Sequence, residues 1–169
     1  MSVRNAFIGL GSNIGNRDKH LRKGLVILSR SLEIVKISSI YETEAWGYAT
    51  QPCFLNLVCR VRTDKRPEEL LKLCKDIEVA AGRTPAFQYG PRILDLDILC
   101  YGNHSISTAS LTLPHPRLPE RAFVLVPLSE IAPGWRHPLL GKSALELLKD
   151  IRNPGFVLKW SAPIMISQC

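Results

Sequence analysis

The sequence predicts an α+β fold of the ferredoxin-like type: a βαββαβ core whose antiparallel sheet carries its helices on one face, with additional C-terminal elements. Three observations lead there. Short apolar segments of strand character alternate with two helical apolar stripes in the order β-α-β-β-α-β. The stretch 54–62 alternates cleanly, with Leu55, Leu57, Cys59 and Val61 on one face and Phe54, Asn56, Val58, Arg60 and Arg62 on the other. A length of 169 residues suits one domain with a true core. We expect that domain over 1–160, followed by a short tail over 161–169.

The first strand covers 6–10 and leads into the turn Gly11-Ser12-Asn13-Ile14-Gly15-Asn16. Gly9, Gly11 and Gly15 are spaced G-x-G-x-x-x-G, one residue longer than a dinucleotide fingerprint, and no parallel βαβ pattern follows. A tight strand-to-helix turn accounts for them better. Asn16 is a good N-cap, and Leu21, Leu25, Leu28 and Leu32 form the first helical stripe. A second strand covers 33–43. The loop over 44–52 follows and exposes Trp46. On the alternating strand, Phe54 and Asn56 stand two apart on the less apolar face, either as part of a flat-ligand site or with Phe54 packed under a loop.

Pro67-Glu68-Glu69 starts the second helix, with proline in the first turn and acids complementing the dipole. Leu70, Cys74, Ile77 and Ala81 make its buried stripe and Gly82 its stop. Lys75 and Glu78, three apart, read as a solvated pair on its polar face. After the loop 83–89 comes Gly90-Pro91-Arg92-Ile93-Leu94-Asp95-Leu96-Asp97-Ile98-Leu99, a strand that places Leu94, Leu96 and Ile98 on one face and Asp95 and Asp97 on the other. Two strand steps separate the carboxylates by about 6–7 Å. Such a pair repels itself unless a cation sits over it, and Mg²⁺ suits two carboxylates plus phosphate oxygens. Solvated aspartates, one of them paired with Arg92, remain the alternative.

Beyond Tyr101 lies a loop-rich segment containing Leu113-Pro114-His115-Pro116, in which His115 reads as a turn residue before it reads as a ligand. The stretch 121–131 caps the open face as a helix or an irregular apolar segment, Pro127 weakening the helix. Arg121 and Phe123 there could serve an anion and a ring. Gly141-Lys142-Ser143 lacks the upstream glycine of a phosphate loop. A terminal helix over 143–151 turns Leu145 and Leu148 inward.

Composition narrows the function. A net charge of +7 points to an anionic partner, nucleic acid or a polyphosphate small molecule. Five cysteines without a Cys-x-x-Cys spacing argue for reduced thiols in a cytoplasmic protein rather than zinc or disulfides. No signal peptide or membrane span is expected.

Gly9-Leu10-Gly11-Ser12-Asn13, Phe54-Leu55-Asn56, Gly90-Pro91-Arg92-x-x-Asp95-x-Asp97-Ile98, and Leu113-Pro114-His115-Pro116 with Arg121-x-Phe123 together resemble the 6-hydroxymethyl-7,8-dihydropterin pyrophosphokinase family of folate biosynthesis. The resemblance runs in order over roughly residues 3–150. It implies transfer of the β,γ-diphosphate of ATP to the pterin hydroxymethyl group, releasing AMP. By that resemblance Asp95 and Asp97 hold two Mg²⁺ ions. Arg83, Arg92, His115 and Arg121 clamp phosphates, with Arg83 and Arg92 joining the two acids as catalytic residues. Lys75 and Glu78 line the nucleotide side, and backbone at Ile98, Ser110, Leu111 and Thr112 meets adenine and ribose. Phe54 and Phe123 sandwich the pterin, while Asn56 and the backbone near Thr43 and Trp46 read its polar edge.

The same resemblance implies small-molecule substrates, no nucleic-acid or membrane partner, and a monomer. The loop 83–89 departs from the family pattern: it is a residue short, Tyr89 replaces a tryptophan and Pro85 a common arginine, and Ser110 replaces an often basic residue. The expectation is an active but slower enzyme. The alternatives are a catalytically weakened pterin- and ATP-binding homologue or an RNA-binding module. The paired acids disfavour the latter, because they would repel phosphate without a metal.

Overall fold

The structure, a computed structural model, describes residues 3–47, 50–84 and 90–166. It is a mixed α+β fold built on an antiparallel sheet. Strands β1 (Arg4–Ser12), β2 (Glu33–Ile37), β3 (Ile40–Thr43), β4 (Phe54–Thr63), β5 (Asp95–Tyr101) and β8 (Val157–Ser161) form it, in the order β5-β1-β4-β3-β8 with β2 also on β4. Helices α1 (Arg17–Ser29) and α2 (Pro67–Ala80) cover one face; α3 (Ala122–Ile131) and α4 (Ala144–Asp150) cover part of the other. A hairpin of β6 (Ile106–Ser107) and β7 (Thr112–Leu113) lies beside β5.

The main core forms where the apolar row of each strand meets α1 and α2. Leu55, Leu57, Cys59 and Val61 of β4, with Leu94, Leu96 and Ile98 at β5, pack on Leu21, Leu25 and Leu28 and on Leu70, Cys74 and Ile77. The Asn16 side chain caps α1 by accepting from Lys19 N–H, as its residue type predicts. Gly82 follows α2 at φ +100°, a conformation that a β-carbon disfavours.

Several elements differ from expectation. The first strand does not end at Leu10; it runs through Gly11 to Ser12. The expected strand over 33–43 is two strands, broken at Ser38 and Ser39. Ser39 N–H and Oγ instead donate to the Glu130 carboxylate on α3, so a side chain of another layer supplies the pairing that β4 does not. Helix α3 persists through Pro127. A mid-helix proline costs about 3 kcal/mol, but burying Val124, Leu125, Leu128 and Ile131 against Phe7, Val58 and Leu99 contributes about 1.5–3 kcal/mol per side chain. On α4 the inward residues are Ala144 and Leu147; Leu145 is exposed and Leu148 only partly covered. Capping explains this shift of phase. Ser143 is the N-cap, in a capping box with Glu146, and that fixes where the helix begins.

Strand β8, which carries no clear sequence signal, pairs antiparallel with β3, and Ile164 beyond it is buried in the main core. No helix among the described residues is long and apolar enough to cross a membrane.

Candidate active site

The register of the three central strands builds the site. Gly11 of β1 lies opposite Asn56 on one side and Asp95 on the other; Gly9 lies likewise between Val58 and Asp97. Adjacent strands sit about 4.8 Å apart, so each acid is about 10 Å from β4 across a residue with no side chain. Gly11, expected to open a turn, is therefore with Gly9 the floor of a cleft. A β-carbon on Gly11 would come within 2.7 Å of Asn56 Oδ1 and 3.5 Å of Phe54 Cδ1.

The cleft encloses about 660 Å³ of empty space, its open mouth included. Thr43, Trp46, Phe54, Asn56 and Phe123 line it together with Arg92, Asp95, Asp97 and Arg121. One site thus brings together every residue expected to hold the flat ring and both expected metal ligands. Asn56 is buried, and its Nδ2 donates to Thr43 Oγ1 at 2.8 Å, which fixes the amide's orientation.

A bulge in β5 shapes the acidic end. Ile98 pairs with Ile8 and Cys100 with Phe7, so Leu99 is an extra residue and turns to the α3 side. Its carbonyl accepts the His115 N–H at 2.8 Å and so pins the Pro-His-Pro segment beside the acids. His115 Nδ1 in turn accepts from Arg117 N–H at 3.1 Å, which leaves the ring proton on Nε2. Burial and the neighbouring Arg121 hold His115 below its usual range, hence neutral.

Each acid is already paired. Arg83 donates to Asp95 Oδ1 at 2.7 Å and Arg92 to Asp95 Oδ2 at 2.6 Å, while Arg121 meets Asp97 at 3.2 Å. Burial alone would raise the Asp95 carboxyl, but Arg92 and Arg83 hold it below the ordinary range. Arg121 is buried, and its Nε has no hydrogen-bond partner among the described residues, leaving a donor to be satisfied.

Glu78 corrects the sequence reading. It is not on the solvated face of α2 but 2 % exposed, where it accepts the Leu96 N–H at 2.8 Å and pairs with Arg83 as well as with Lys75. Burial raises its carboxyl. Trp46 is likewise half-buried rather than exposed. Lys75, Glu78, Arg83, Ile98, His115, Ser110, Leu111 and Thr112 do not line the cleft, although Arg83 reaches its Asp95. The Ile98 side chain belongs to the main core, and Leu111 to Leu113 run along the hairpin beside β5. Residues 85–89, including Pro85 and Tyr89 where the loop departs from the family pattern, lie outside the described residues.

Sequence reasoning left Asn13 without a role. It is 2 % exposed; its Nδ2 donates to Gln51 Oε1 and to the Pro52 carbonyl, and its Oδ1 accepts the Arg92 N–H. One side chain ties the loop before β4 to the turn before β5. An asparagine directly after the Gly11-Ser12 end of a strand was the available signal.

Asp95 and Asp97 offer hard oxygen donors to a divalent cation. No group of three or more His, Cys, Asp or Glu side chains with metal-holding geometry occurs among the described residues. Two carboxylates completed by water and phosphate oxygens fit Mg²⁺, which is seldom caged by protein alone.

Comparison with known proteins gives a consistent result. Residues 7–133 match the family described as 7,8-dihydro-6-hydroxymethylpterin-pyrophosphokinase (HPPK). A 2-amino-4-hydroxy-6-hydroxymethyldihydropteridine pyrophosphokinase of Aquifex aeolicus is 44% identical over 140 residues, covering 83% of this chain and 88% of its own. That of Bacillus subtilis is 47% identical over 128 residues, covering 75% of this chain and 77% of its own. A crystal structure of Plasmodium falciparum HPPK-DHPS, a triple mutant with SDX-DHP, superposes with a TM-score of 0.72 at 17% identity over 88% of this chain. This chain spans 44% of that longer one.

Proposed function

The chain belongs to the 7,8-dihydro-6-hydroxymethylpterin-pyrophosphokinase family, an ATP-dependent diphosphotransferase of folate biosynthesis, and on that premise we propose how its own residues carry the reaction. The enzyme transfers the β,γ-diphosphate of ATP to the hydroxymethyl oxygen of 6-hydroxymethyl-7,8-dihydropterin and releases AMP. The observation that supports our assignment of roles is the single cleft in which Phe54, Phe123 and Asn56 face Asp95 and Asp97 across Gly9 and Gly11.

In this reading the pterin lies against Phe54 and Phe123, its polar edge on Asn56 and Thr43, with Trp46 at the rim. Stacking of a flat heterocycle on an aromatic ring contributes about 1–3 kcal/mol. Buried amide and hydroxyl groups left unpaired by an analogue without that edge make the site selective. Asp95 and Asp97 would hold Mg²⁺, two ions on our reading, which would neutralise triphosphate charge when bound. Arg83, Arg92 and Arg121 are freed from the acids as the phosphates arrive, and they turn their N–H groups to phosphate oxygens. The His115 Nε2–H is a further, neutral donor. Lys75 and Glu78 flank the nucleotide side, and backbone at Ile98 and 110–112 meets adenine and ribose.

The reaction then needs positioning and charge stabilisation more than covalent help. The hydroxymethyl oxygen attacks the β phosphorus, the bond from that phosphorus to the α–β bridging oxygen breaks, and AMP leaves with the oxygen. The hydroxyl proton passes to solvent water as the new ester forms. Arg83 and Arg92, which flank Asp95 before the phosphates arrive, stabilise the charge that develops on the transferred group.

On the same reading the protein is a cytoplasmic monomer that acts on small molecules rather than nucleic acid. We read residues 1–160 as one domain followed by the tail 161–169, of which Ile164 is buried in the main core. Incubation with Mg-ATP and 6-hydroxymethyl-7,8-dihydropterin should yield AMP and the pterin diphosphate in equal amounts by chromatography. Absence of AMP would overturn the assignment; sedimentation and cell fractionation test monomer and compartment.

A further inference from the structure

Trp46 belongs to the loop between β3 and β4, on the pterin side of the cleft, yet its ring faces cations from the phosphate side. The Arg121 guanidinium carbon lies 5.1 Å from the Trp46 ring centroid and 5.5 Å from that of Phe123; the Arg117 guanidinium lies 4.8 Å from Trp46. All three distances fall within the reach of a cation–π interaction, and tryptophan is the strongest ring partner. Arg121 needs such support. It is 8 % exposed, its Nε has no hydrogen-bond partner among the described residues, and its contact with Asp97 is 3.2 Å, longer than a tight charge-assisted bond. A buried guanidinium with so little polar compensation is costly to hold in place. Two aromatic faces supply what the single acid does not.

We propose that Trp46 is a positioning residue for the phosphate clamp: through its ring it holds Arg121, with Arg117 on the outside, in the place from which Arg121 meets the nucleotide. Trp46 at the rim of the ring pocket and the arginine that receives the phosphates are then one mechanical unit. The inference rests on the reading that Arg121 binds ATP phosphate, and the test separates the two.

The probe is α,β-methylene-ATP with Mg²⁺, titrated calorimetrically into wild type, W46L, W46F and R121A, and into the double variant W46L/R121A. We expect W46L to weaken nucleotide binding by about tenfold, the scale of a desolvated cation–π contact. W46F, which keeps a ring, should stay within about threefold of wild type. In turnover, W46L should raise KM for ATP more than it lowers kcat, while its melting temperature stays near that of wild type. In the R121A background W46L should add nothing, because the group it positions is gone. A W46L effect undiminished without Arg121, or wild-type affinity in W46L, overturns the inference.

If W46L does not fold, the double variant W135F/W160F leaves Trp46 as the only tryptophan, and its emission must change on adding the nucleotide alone; unchanged emission overturns the proposal equally. Failure of the wild type to bind the nucleotide would instead refute the reading of the cleft itself.

Discussion

Asn13 holds both ends of the Arg92 residue: its backbone N–H donates to the Arg92 carbonyl at 3.1 Å, and its side-chain Oδ1 accepts the Arg92 N–H at 2.8 Å. Its amide nitrogen reaches the other way, to Gln51 and Pro52. The loop before β4 and the turn that aims Arg92 at Asp95 are thereby set by one buried side chain. Asn13→Ala removes the acceptor for the Arg92 N–H and the donor to Gln51 and the exposed Pro52 carbonyl. At about 0.5–1.5 kcal/mol for each hydrogen bond lost, the Arg92 and Gln51 bonds give about 1–3 kcal/mol in all. In a chain of this size that corresponds to a melting temperature lower by roughly 2–10 °C. Calorimetric melting checks it, and steady-state kinetics should show KM raised for both substrates together. A wild-type melting curve would contradict the role.

Gly11 is where backbone and ligand chemistry meet. Its own strand is extended, so the residue is needed for space rather than for an unusual φ. A methyl group there lies 2.7 Å from Asn56 Oδ1, closer than a real β-carbon comes, so the amide must move off Thr43. Gly11→Ala should weaken binding of the pterin by about ten- to a hundredfold, the loss of one or two buried hydrogen bonds. Binding of α,β-methylene-ATP should change less than threefold. Calorimetric titration of each ligand separately is the measurement, and equal losses for both would refute the account.

Much of this site was legible because strand periodicity is simple. Alternation alone placed Asp95 and Asp97 opposite Leu94, Leu96 and Ile98, and Phe54 and Asn56 opposite Leu55 and Leu57. What alternation cannot give is which strand lies beside which, and so the role of Gly9 and Gly11 as a bare floor between two functional strands stayed hidden behind a turn. The bulge at Leu99 was illegible for a related reason: an extra residue shows only against its partner strand, and it is the bulge that frees a carbonyl for His115. Glu78 misled because three-residue spacing from Lys75 is the same whether a pair is solvated or one member reaches inward to the Leu96 amide. Strand β8 has a lysine and a tryptophan among its five residues and no alternation strong enough to outweigh the Asn153-Pro154-Gly155 turn before it.

His137 gives a pH dependence unconnected with the chemistry. It is 5 % exposed, and its Nδ1 accepts from the Leu139 and Leu140 N–H groups at 3.2 and 3.3 Å, which only the neutral ring can do. Burial holds its pKa below the ordinary 6.5. The unfolded chain therefore takes up this proton first, at a higher pH than the folded one. The stabilisation is complete above about pH 6.5 and declines as pH falls through the window beneath it. Melting temperatures between pH 7.5 and 5 should fall for wild type, and less steeply for His137→Gln, whose amide oxygen still accepts. Parallel curves for the two proteins would remove His137 as the cause.

Asp95 lies between Arg83 and Arg92, and Asp97 faces Arg121, so a divalent cation must compete with three guanidinium groups for two carboxylates. Competition of that kind makes metal and nucleotide help one another. On the proposed reading, phosphates would draw the arginines away, and the acids so released would be free for Mg²⁺. By linkage the same factor must appear in both directions, and couplings of about 1–3 kcal/mol are usual, near a five- to hundredfold change in affinity. Mg²⁺ titrated into the protein alone should therefore bind weakly, and at least about fivefold more tightly with saturating α,β-methylene-ATP. Asp97→Asn should abolish most of that gain, and a chelator should stop turnover of the wild type. Equal Mg²⁺ affinity with and without the nucleotide would show that the arginines do not contest the acids, and that the paired carboxylates serve the fold instead.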